Sequence, residues 1–379
     1  MITIGVGLAA AIVAFLILTG FQARVKEKIS SFSADLMVTK YTLNNSTEEQ
    51  PIDINIELYN HPERIPLIDH IQEYSHKAGL IKTSNEVLGV IVKGVGKSFD
   101  LTRFRENMTR GRFINFTDST YSNEIVLSEV IANKLNVDIG DDVIIHFFQR
   151  PPRFRKLKVV GLYETNLADY FDGKFIIGDI RLIQRLNDWN AHTAGGLQIF
   201  VKDITKIDEA EAAVNELTGY ELMAEKISDK YEAVFDWLGL LSRQVQILLG
   251  IILIVICLNM VSIVMILVME RTQMIGVLKA MGSPNGLIRR VFFYNGVSLI
   301  AQGLLLGNVL GLGLCFLQYQ FRFIRLNPRD YYMSFVPVAW DWLIVVVLNI
   351  LFFLVIASLI GVLTALVSSV KPIKAIKFD

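Results

Sequence analysis

The stretch Leu258–Gly296 reads LNMVSIVMILVMERTQMIGVLKAMGSPNGLIRRVFFYNG and is the most informative part of this sequence. Its first apolar run ends at Met269. The charged pair Glu270-Arg271 that follows is typical of a membrane surface. Apolar residues then recur at every third position, which predicts a short amphipathic helix; they are Ile275, Leu278 and Met281.

The end of this short helix is also marked in the sequence. Gly282 is a natural C-terminal stop for a helix. Ser283 is expected to cap the next helix, with Pro284 at its first position. The cations Arg289-Arg290 then lead into another apolar run. The stretch therefore predicts a short helix held at the membrane surface between two long ones, and on physics alone an ordinary interfacial hairpin is the favoured interpretation.

In the whole chain of 379 residues, hydrophobic residues make up 52% and charged residues 20%, whereas about a quarter of the residues are charged in soluble domains. Uncharged stretches explain the excess, and each exceeds the roughly 20 residues that cross a bilayer as a helix. A wholly soluble enzyme is excluded. The stretches are residues 1–23, 244–269, 291–321 and 342–370.

The first stretch lacks a basic n-region and an Ala-x-Ala-like cleavage site, so a retained helix is predicted. The absence of basic residues before it suggests a missing cytoplasmic segment upstream. Basic clusters in 270–290 and at the C-terminus place both segments in the cytoplasm by the positive-inside rule. The predicted layout is 1–23 first transmembrane helix, 24–237 periplasmic α+β domain, 238–269 second helix, 270–290 cytoplasmic loop, 291–321 third helix, 322–341 periplasmic loop, 342–370 fourth helix and 371–379 cytoplasmic tail.

The polar segment between the first two spans alternates strand-like and helix-like patterns, which predicts an α+β domain. The predicted strands are Leu36–Tyr41, Ile52–Leu58, Val87–Val92, Val143–Phe148, Leu157–Tyr163, Phe175–Gly178 and Leu197–Val201. The predicted helices are Ile65–Lys77, Ser128–Leu135, Ile180–Leu186, Ile207–Leu217 and Asp229–Leu240. The fold class expected is an integral membrane α-helical protein with four transmembrane helices and a large extracytoplasmic α+β domain between helices 1 and 2.

Patterns for catalysis or metal binding are weak. The stretch Lys93–Ser98 resembles a phosphate loop, but Ile91 stands where that motif needs its first glycine, so a glycine-rich turn is favoured. None of the five histidines forms the i, i+4 pair of a helical zinc site, and both cysteines lie in apolar stretches. A net charge of zero argues against a nucleic-acid partner. Neither a catalytic residue, a metal site nor a cofactor is predicted in this chain.

Leu258–Gly296 resembles the permease signature of the FtsX/MacB-like superfamily of ABC transporters. The resemblance lies in Glu270-Arg271, in Ile275–Gly282, in Arg289-Arg290-Val291-Phe292 and in Asn295-Gly296. Gly20-Phe21-Gln22 and Leu258–Ser262 further resemble the lipoprotein-releasing permeases LolC and LolE. Met274 and Tyr294-Asn295 depart from residues common in the family.

The resemblance implies a permease subunit in the bacterial inner membrane that extracts lipoproteins and releases them to a periplasmic carrier. A separate cytoplasmic ATPase dimer would bind ATP and Mg²⁺, and a second copy or a homologous permease would complete the path. The short helix would be the coupling helix that docks on the ATPase, through Glu270, Arg271, Ile275, Gly276, Leu278, Lys279, Ala280, Met281 and Gly282. From depth alone, lipid chains would contact Phe15, Phe21, Leu249 and Leu253.

The strands around residue 150 predict a hairpin whose tip is residues 149–156. Prolines stiffen this tip, and its cations and aromatic residue favour an acidic or apolar partner. In the lipoprotein-releasing family the matching hairpin of one subunit holds the periplasmic carrier; a solvated basic loop is the alternative. The expected carrier-binding residues are Arg150, Pro151, Pro152, Arg153, Phe154 and Arg155.

Two other functions are open from the sequence. One is a same-fold permease for efflux or peptide export, although the fused ATPase of macrolide exporters is not in this sequence. The other is a transmembrane signalling subunit that regulates a cell-wall hydrolase.

Overall fold

The computed structural model describes residues 1–42, 48–83, 86–117 and 120–367. The predicted tail 371–379, the last residues of the span 342–370 and the side chain of Ile275 lie outside this description. The chain forms two compact units. The helical unit comprises Met1–Arg24, Asp236–Arg325 and the chain from Phe335, and the domain unit comprises Val25–Phe235 and Leu326–Ser334.

The helices, in chain order, are α1 Ile2–Ser33, α2 Glu57–Asn60, α3 Leu101–Phe104, α4 Glu129–Leu135, α5 Ile180–Leu186, α6 Ile207–Thr218, α7 Ile227–Lys230, α8 Glu232–Glu270, α9 Thr272–Ala280, α10 Asn285–Phe321, α11 Pro328–Tyr331 and α12 Trp342–Val367. Among the described residues, four of these are long and apolar enough to cross a membrane: α1, α8, α10 and α12. The predicted fold class is confirmed.

The first two long helices extend beyond the spans predicted at 1–23 and 238–269. Helix α1 continues to Ser33 because three apolar residues recur on one face after Arg24. All three residues are buried in the domain unit. These are Val25, Ile29 and Phe32. Helix α8 begins already at Glu232.

The strands are β1 Leu36–Lys40, β2 Ile52–Asp53, β3 Ile68–Lys82, β4 Val87–Val95, β5 Met108–Gly111, β6 Glu124–Ser128, β7 Asp142–Phe147, β8 Arg153–Tyr163, β9 Phe175–Asp179, β10 Thr193–Ala194, β11 Gly196–Val201 and β12 Leu222–Lys226. Ten of them form one mixed sheet in the order β12-β1-β11-β3-β4-β9-β6-β8-β5, with β7 paired to β3 and β8. Strands β2 and β10 form a separate pair.

Three local predictions are wrong. The predicted helix Ile65–Lys77 is mostly strand β3, because its buried polar side chains find partners on neighbouring segments; Gln72 Nε2 donates to Gln198 Oε1 at 2.9 Å. The predicted strand Ile52–Leu58 stops at Asp53, whose carboxylate accepts from the Asn55 N–H and turns the chain. Ser283 does not cap the following helix: α10 begins at Asn285 after an extended Pro284.

The helical unit packs around a core formed by all four long helices. On α10, Gly303, Gly307 and Gly311 face α1, and a Cβ at any of them would crowd α1 atoms at 2.8–3.1 Å. Small residues at this spacing let membrane helices approach closely. Helices α10 and α12 are also joined by a reciprocal amide pair between Asn308 and Asn349, at 2.7 and 3.0 Å.

The domain unit has two apolar clusters on its sheet and an aromatic cluster around the end of α1. The Phe32 ring stacks on Phe171 with centroids 4.3 Å apart. Lys93 is buried beside it: its Nζ donates to the Phe32 carbonyl and lies 4.4 Å from the centre of the Phe32 ring. Burial lowers the pKa of Lys93 to about 7, partly opposed by Glu49. Lys93 therefore caps the end of α1, and its role here is structural.

Candidate functional site

The short helix predicted between the second and third membrane helices is present as α9, and it follows α8 with only Arg271 between them. The helix ends as the sequence indicated. Gly282 has a φ of +84°, a conformation that favours glycine. The N–H of Gly282 donates to the Lys279 carbonyl at 3.0 Å, and the N–H of Ser283 donates to the Leu278 carbonyl at 3.0 Å. These bonds close the last turn, so Ser283 is engaged with α9 rather than with α10.

One face of α9 is exposed and largely apolar. Val277 is 59% exposed and Met281 72%, and Met274 belongs to the same surface. Gln273 and Ala280 lie on the same face by helical spacing and are also exposed. We call this the coupling face, defined as Gln273, Met274, Val277, Ala280 and Met281.

The register of this face differs from the predicted one. Met281 lies on it as expected, but Leu278 and Lys279 are half-buried, and Gly276 is buried. Glu270 and Arg271 are exposed at the turn before α9. An i, i+3, i+6 pattern drifts around an α-helix, whereas 274, 277 and 281 keep to one side at 3.6 residues per turn. The sequence contained that spacing, and Met274 and Val277 were missed.

A groove of about 430 Å³ lies beside the start of α9. Arg271 and Met274 form one wall, and α10 contributes Val291, Phe292 and Asn295. Both walls come from the stretch Leu258–Gly296, but the groove itself was not predicted from the sequence. The exposed Met274 gives the groove an apolar edge that continues onto the coupling face.

The predicted hairpin is present in the domain unit, but its tip is shorter than predicted. Strand β8 begins at Arg153, and residues 153–156 pair with β7 in the register Phe147↔Arg153 to Ile144↔Lys156. The turn is therefore Phe148–Pro152 instead of 149–156. The prediction was wrong because the charge of Arg153, Arg155 and Lys156 suggested a loop, whereas these residues belong to strand β8.

Two of the hairpin cations are occupied by neighbours. Arg153 pairs with Asp188 at 3.0 Å and donates to the carbonyls of Arg185 and Leu186. Lys156 pairs with Asp142 at 2.9 Å. Arg150, Pro151 and Pro152 are exposed in the turn, and Arg155 is half-buried. The positive charge at the end of the hairpin is thus carried chiefly by Arg150.

The hairpin exposes two large aromatic side chains. Phe154 is 64% exposed and packs beside His146 across the strands, with ring centroids 6.1 Å apart. Phe148, at the first position of the turn, is 70% exposed. Phe148 was missed in the sequence because it ends the apolar alternation of β7 and was assigned to the strand. We call Phe148, Arg150 and Phe154 the hairpin tip.

The residues predicted to contact lipid lie on the packed sides of their helices. Phe21 is 8% exposed, and its ring meets Trp237 edge-on with centroids 5.5 Å apart. Phe15, Leu249 and Leu253 are half-buried against the core of the helical unit. The exposed apolar face of α8 consists of other residues, among them Ile247, Ile251, Ile254 and Leu258.

The two halves of the chain match two known sequence families. Residues 1–219 match the MacB-like periplasmic core domain, and residues 247–373 match the FtsX-like permease C-terminal region. Solved structures similar to the domain include the periplasmic region of MacB from Actinobacillus actinomycetemcomitans. It is 12% identical with a TM-score of 0.38, covering 54% of this chain and 95% of the other.

Several curated relatives cover most of the chain. The lipoprotein-releasing system transmembrane protein LolC of Haemophilus influenzae is 25% identical over 333 residues, which is 80% of this chain and 75% of the relative. LolC of Neisseria meningitidis serogroup B is 21% identical over 355 residues, or 88% and 82%. LolE of Haemophilus influenzae is 20% identical over 360 residues, or 90% and 84%.

Four membrane helices, a domain inserted after the first and a surface helix between the second and third define a permease subunit of an ABC transporter. Such a subunit is a multi-pass protein of the bacterial inner membrane and a transport component that works in a complex with other subunits. The chain belongs to the family of FtsX-like permeases that carry a MacB-like periplasmic core domain.

Proposed function

We propose that this permease subunit extracts lipoproteins from the inner membrane and passes them to a soluble periplasmic carrier. The observation that carries the proposal is the hairpin tip of the domain, which exposes two phenylalanines and an arginine that lies between them in the sequence. An aromatic anchor with a charged neighbour is suited to binding another protein and releasing it again. The names of the curated relatives support the same substrate class.

The proposed energy source is a cytoplasmic ATPase dimer that docks on the coupling face. Exposed Met274, Val277 and Met281 offer it an apolar surface at the end of α8. ATP and Mg²⁺ would be bound by that partner. A second copy of this chain or a homologous permease would complete the transport path.

A reconstituted release assay tests the proposal. The complex is purified with its ATPase, placed in liposomes together with a lipidated protein, and supplied with ATP and the soluble carrier. We expect lipoprotein to move into the carrier-bound soluble fraction when ATP is present. For the same protein without its lipid, we expect the amount in the soluble fraction not to depend on ATP. ATP hydrolysis without release of any lipoprotein would contradict the proposal, and export of a peptide or small molecule under the same conditions would favour an efflux permease.

The same preparation distinguishes a transport function from the signalling alternative. A signalling subunit would hydrolyse ATP and change the activity of a bound cell-wall hydrolase while moving no cargo. Carrier-bound lipoprotein in the soluble fraction would rule that alternative out as the main function.

A further inference from the structure

The tripeptide Gly20-Phe21-Gln22 fastens α1 to α8 within the helical unit. Gln22 Nε2 donates to the Ser242 hydroxyl at 2.6 Å and to the Leu238 carbonyl at 2.9 Å. Both acceptors belong to the first turns of α8, more than 200 positions along the chain. One amide group thus joins the two helices by two hydrogen bonds, 11 residues before the end of α1.

An aromatic contact lies next to these hydrogen bonds. The buried Phe21 ring meets Trp237 edge-on, with centroids 5.5 Å apart, an arrangement that aromatic pairs prefer. Gln22 and Phe21 are adjacent in α1, and Trp237 and Leu238 are adjacent in α8. The joint therefore combines a polar and an apolar contact over one turn of each helix.

The opposite side of α1 is held by the chain that leads into α12. A Cβ at Gly20 would lie 2.7 Å from the Ala339 nitrogen and 3.0 Å from the Pro337 carbonyl oxygen, so this approach requires glycine. The Ala339 N–H donates to the Leu16 carbonyl at 3.1 Å. Helix α1 is thus held from two sides at the same level.

The far end of α8 leads through Arg271 into α9, which carries the coupling face. From Ser242 to Glu270 the helix is continuous and spans about 42 Å at 1.5 Å per residue. A continuous helix can transmit a displacement along its axis, because backbone hydrogen bonds join each turn to the next. A push on α9 would therefore reach the joint with α1 through one unbroken element.

We infer that Gln22, Phe21 and Trp237 are positioning residues that make α1 and α8 move as one body when the coupling helix is displaced. This inference rests on the proposed function, in which an ATPase acts on α9. The joint acts through the helices and touches neither nucleotide nor cargo. It stays closed throughout the cycle, so lipid does not pass between α1 and α8 at this level.

The first test breaks the joint. Gln22→Leu removes both donors and keeps a side chain of similar size. We expect normal membrane insertion, normal association with the ATPase and continued ATP hydrolysis, with a loss of roughly 2- to 30-fold in lipoprotein released per ATP, the range of changes in coupling between distant sites. The matched control is Thr19→Val on the same helix. Its hydroxyl bonds to the Phe15 and Leu16 carbonyls of its own helix, so release per ATP should stay at the wild-type value.

The second test restores the joint covalently. In a variant with Cys257→Ser and Cys315→Ser, a Gln22→Cys/Ser242→Cys pair is linked by a reducible bis-methanethiosulfonate reagent. We expect low release per ATP before linkage, recovery on linkage and loss again on reduction. A structural defect in folding would not be reversed in this way. Inactivity of the linked protein, with activity of the reduced one, would show that the joint must open and would overturn the inference.

A readout independent of cargo separates this inference from the proposed function. Vanadate trapping of the ATPase should change amide hydrogen exchange in residues 25–235 of the wild type. Gln22→Leu should remove that change, and the linked cysteine pair should restore it. If Gln22→Leu showed the same exchange change as the wild type, the inference about the joint would be wrong. If the exchange results were as expected but no lipoprotein were released, only the assignment of lipoproteins as the substrate would be wrong.

Discussion

The coupling face and the hairpin tip both expose large apolar side chains, but they are built differently. The coupling face lies on a nine-residue helix that directly follows the 39-residue helix α8. The hairpin tip lies at the end of two paired strands, and Arg150 lies between its two phenylalanines in the sequence.

The two constructions suit the surfaces to different tasks. An apolar helix face next to a long continuous helix can receive a push from a partner, because backbone hydrogen bonds join each turn of the long helix to the next. Two aromatic anchors beside a charge can attract a partner, hold it and let it leave, since charge acts mainly on the association rate. The two surfaces should therefore respond differently to substitution, salt and pH.

The largest effect is expected at the coupling face. Val277→Asp places a carboxylate at the centre of this face, and burying it against the ATPase would cost several kcal/mol. We expect co-purification of the ATPase to be lost while membrane insertion stays normal, as measured by affinity pull-down. Asn285→Asp, which adds the same charge at the exposed start of α10, is the control. Equal retention of the ATPase by both variants would contradict the assignment of the coupling face.

A change in the interior of the domain should alter the pH dependence of its stability and leave both surfaces intact. Because burial lowers the folded-state pKa of Lys93 to about 7, the unfolded chain binds more protons between about pH 7 and pH 10, and the free energy of unfolding rises with pH across that window. The titration of Lys93 changes the free energy of unfolding by up to about 1.4 kcal/mol per pH unit, and Lys93→Met lacks this contribution.

Calorimetry of the purified protein at several pH values measures this difference. The stability of Lys93→Met relative to the wild type should be highest below about pH 7 and should decline as pH rises. Lys202→Met removes an exposed lysine that also donates to a backbone carbonyl, and it is the control for loss of a lysine side chain. ATPase binding should be unchanged in both. A difference between Lys93→Met and the wild type that does not vary with pH would contradict a titrating Lys93.

At the hairpin tip we expect a moderate effect. Phe154→Ala should weaken carrier binding by about 2 kcal/mol, since buried aromatic anchors dominate interface energies. Phe148→Ala should have a similar effect because its ring is at least as exposed. Photo-crosslinking from position 154 and titration of the carrier measure this. Unchanged binding by both variants would reduce the hairpin to a solvated loop.

The smallest effect is expected for charge at the same tip. Arg150→Ala should slow carrier association by a modest factor that shrinks as salt rises. Arg153→Ala is the informative comparison: its guanidinium is paired with Asp188 and two carbonyls, so the change should lower domain stability more than it alters the salt dependence. Stopped-flow association at several ionic strengths measures both. A larger salt effect from Arg153 than from Arg150 would reverse this assignment.

Much of this architecture could be predicted from the sequence because it is encoded locally. The lengths of the apolar runs indicate the four membrane helices, and Gly282 marks the end of α9. The prediction of a helix at Ile65–Lys77 was wrong because distant segments decide the structure there. The apolar spacing of this segment favours a helix, but strands β4 and β11 on either side supply partners for its polar residues.

Two features follow directly from the order of residues: where the chain is apolar over membrane length, and where the short helix α9 must stop. Solvent preference and glycine conformation act on neighbouring residues, so these features need no distant contact. The tertiary structure alone decided that Gln22 meets Ser242, that Lys93 caps α1 and that Arg153 is taken up by Asp188. These contacts join residues from 35 to 220 positions apart. No local pattern specifies such pairs, because they exist only once packing has brought the segments together.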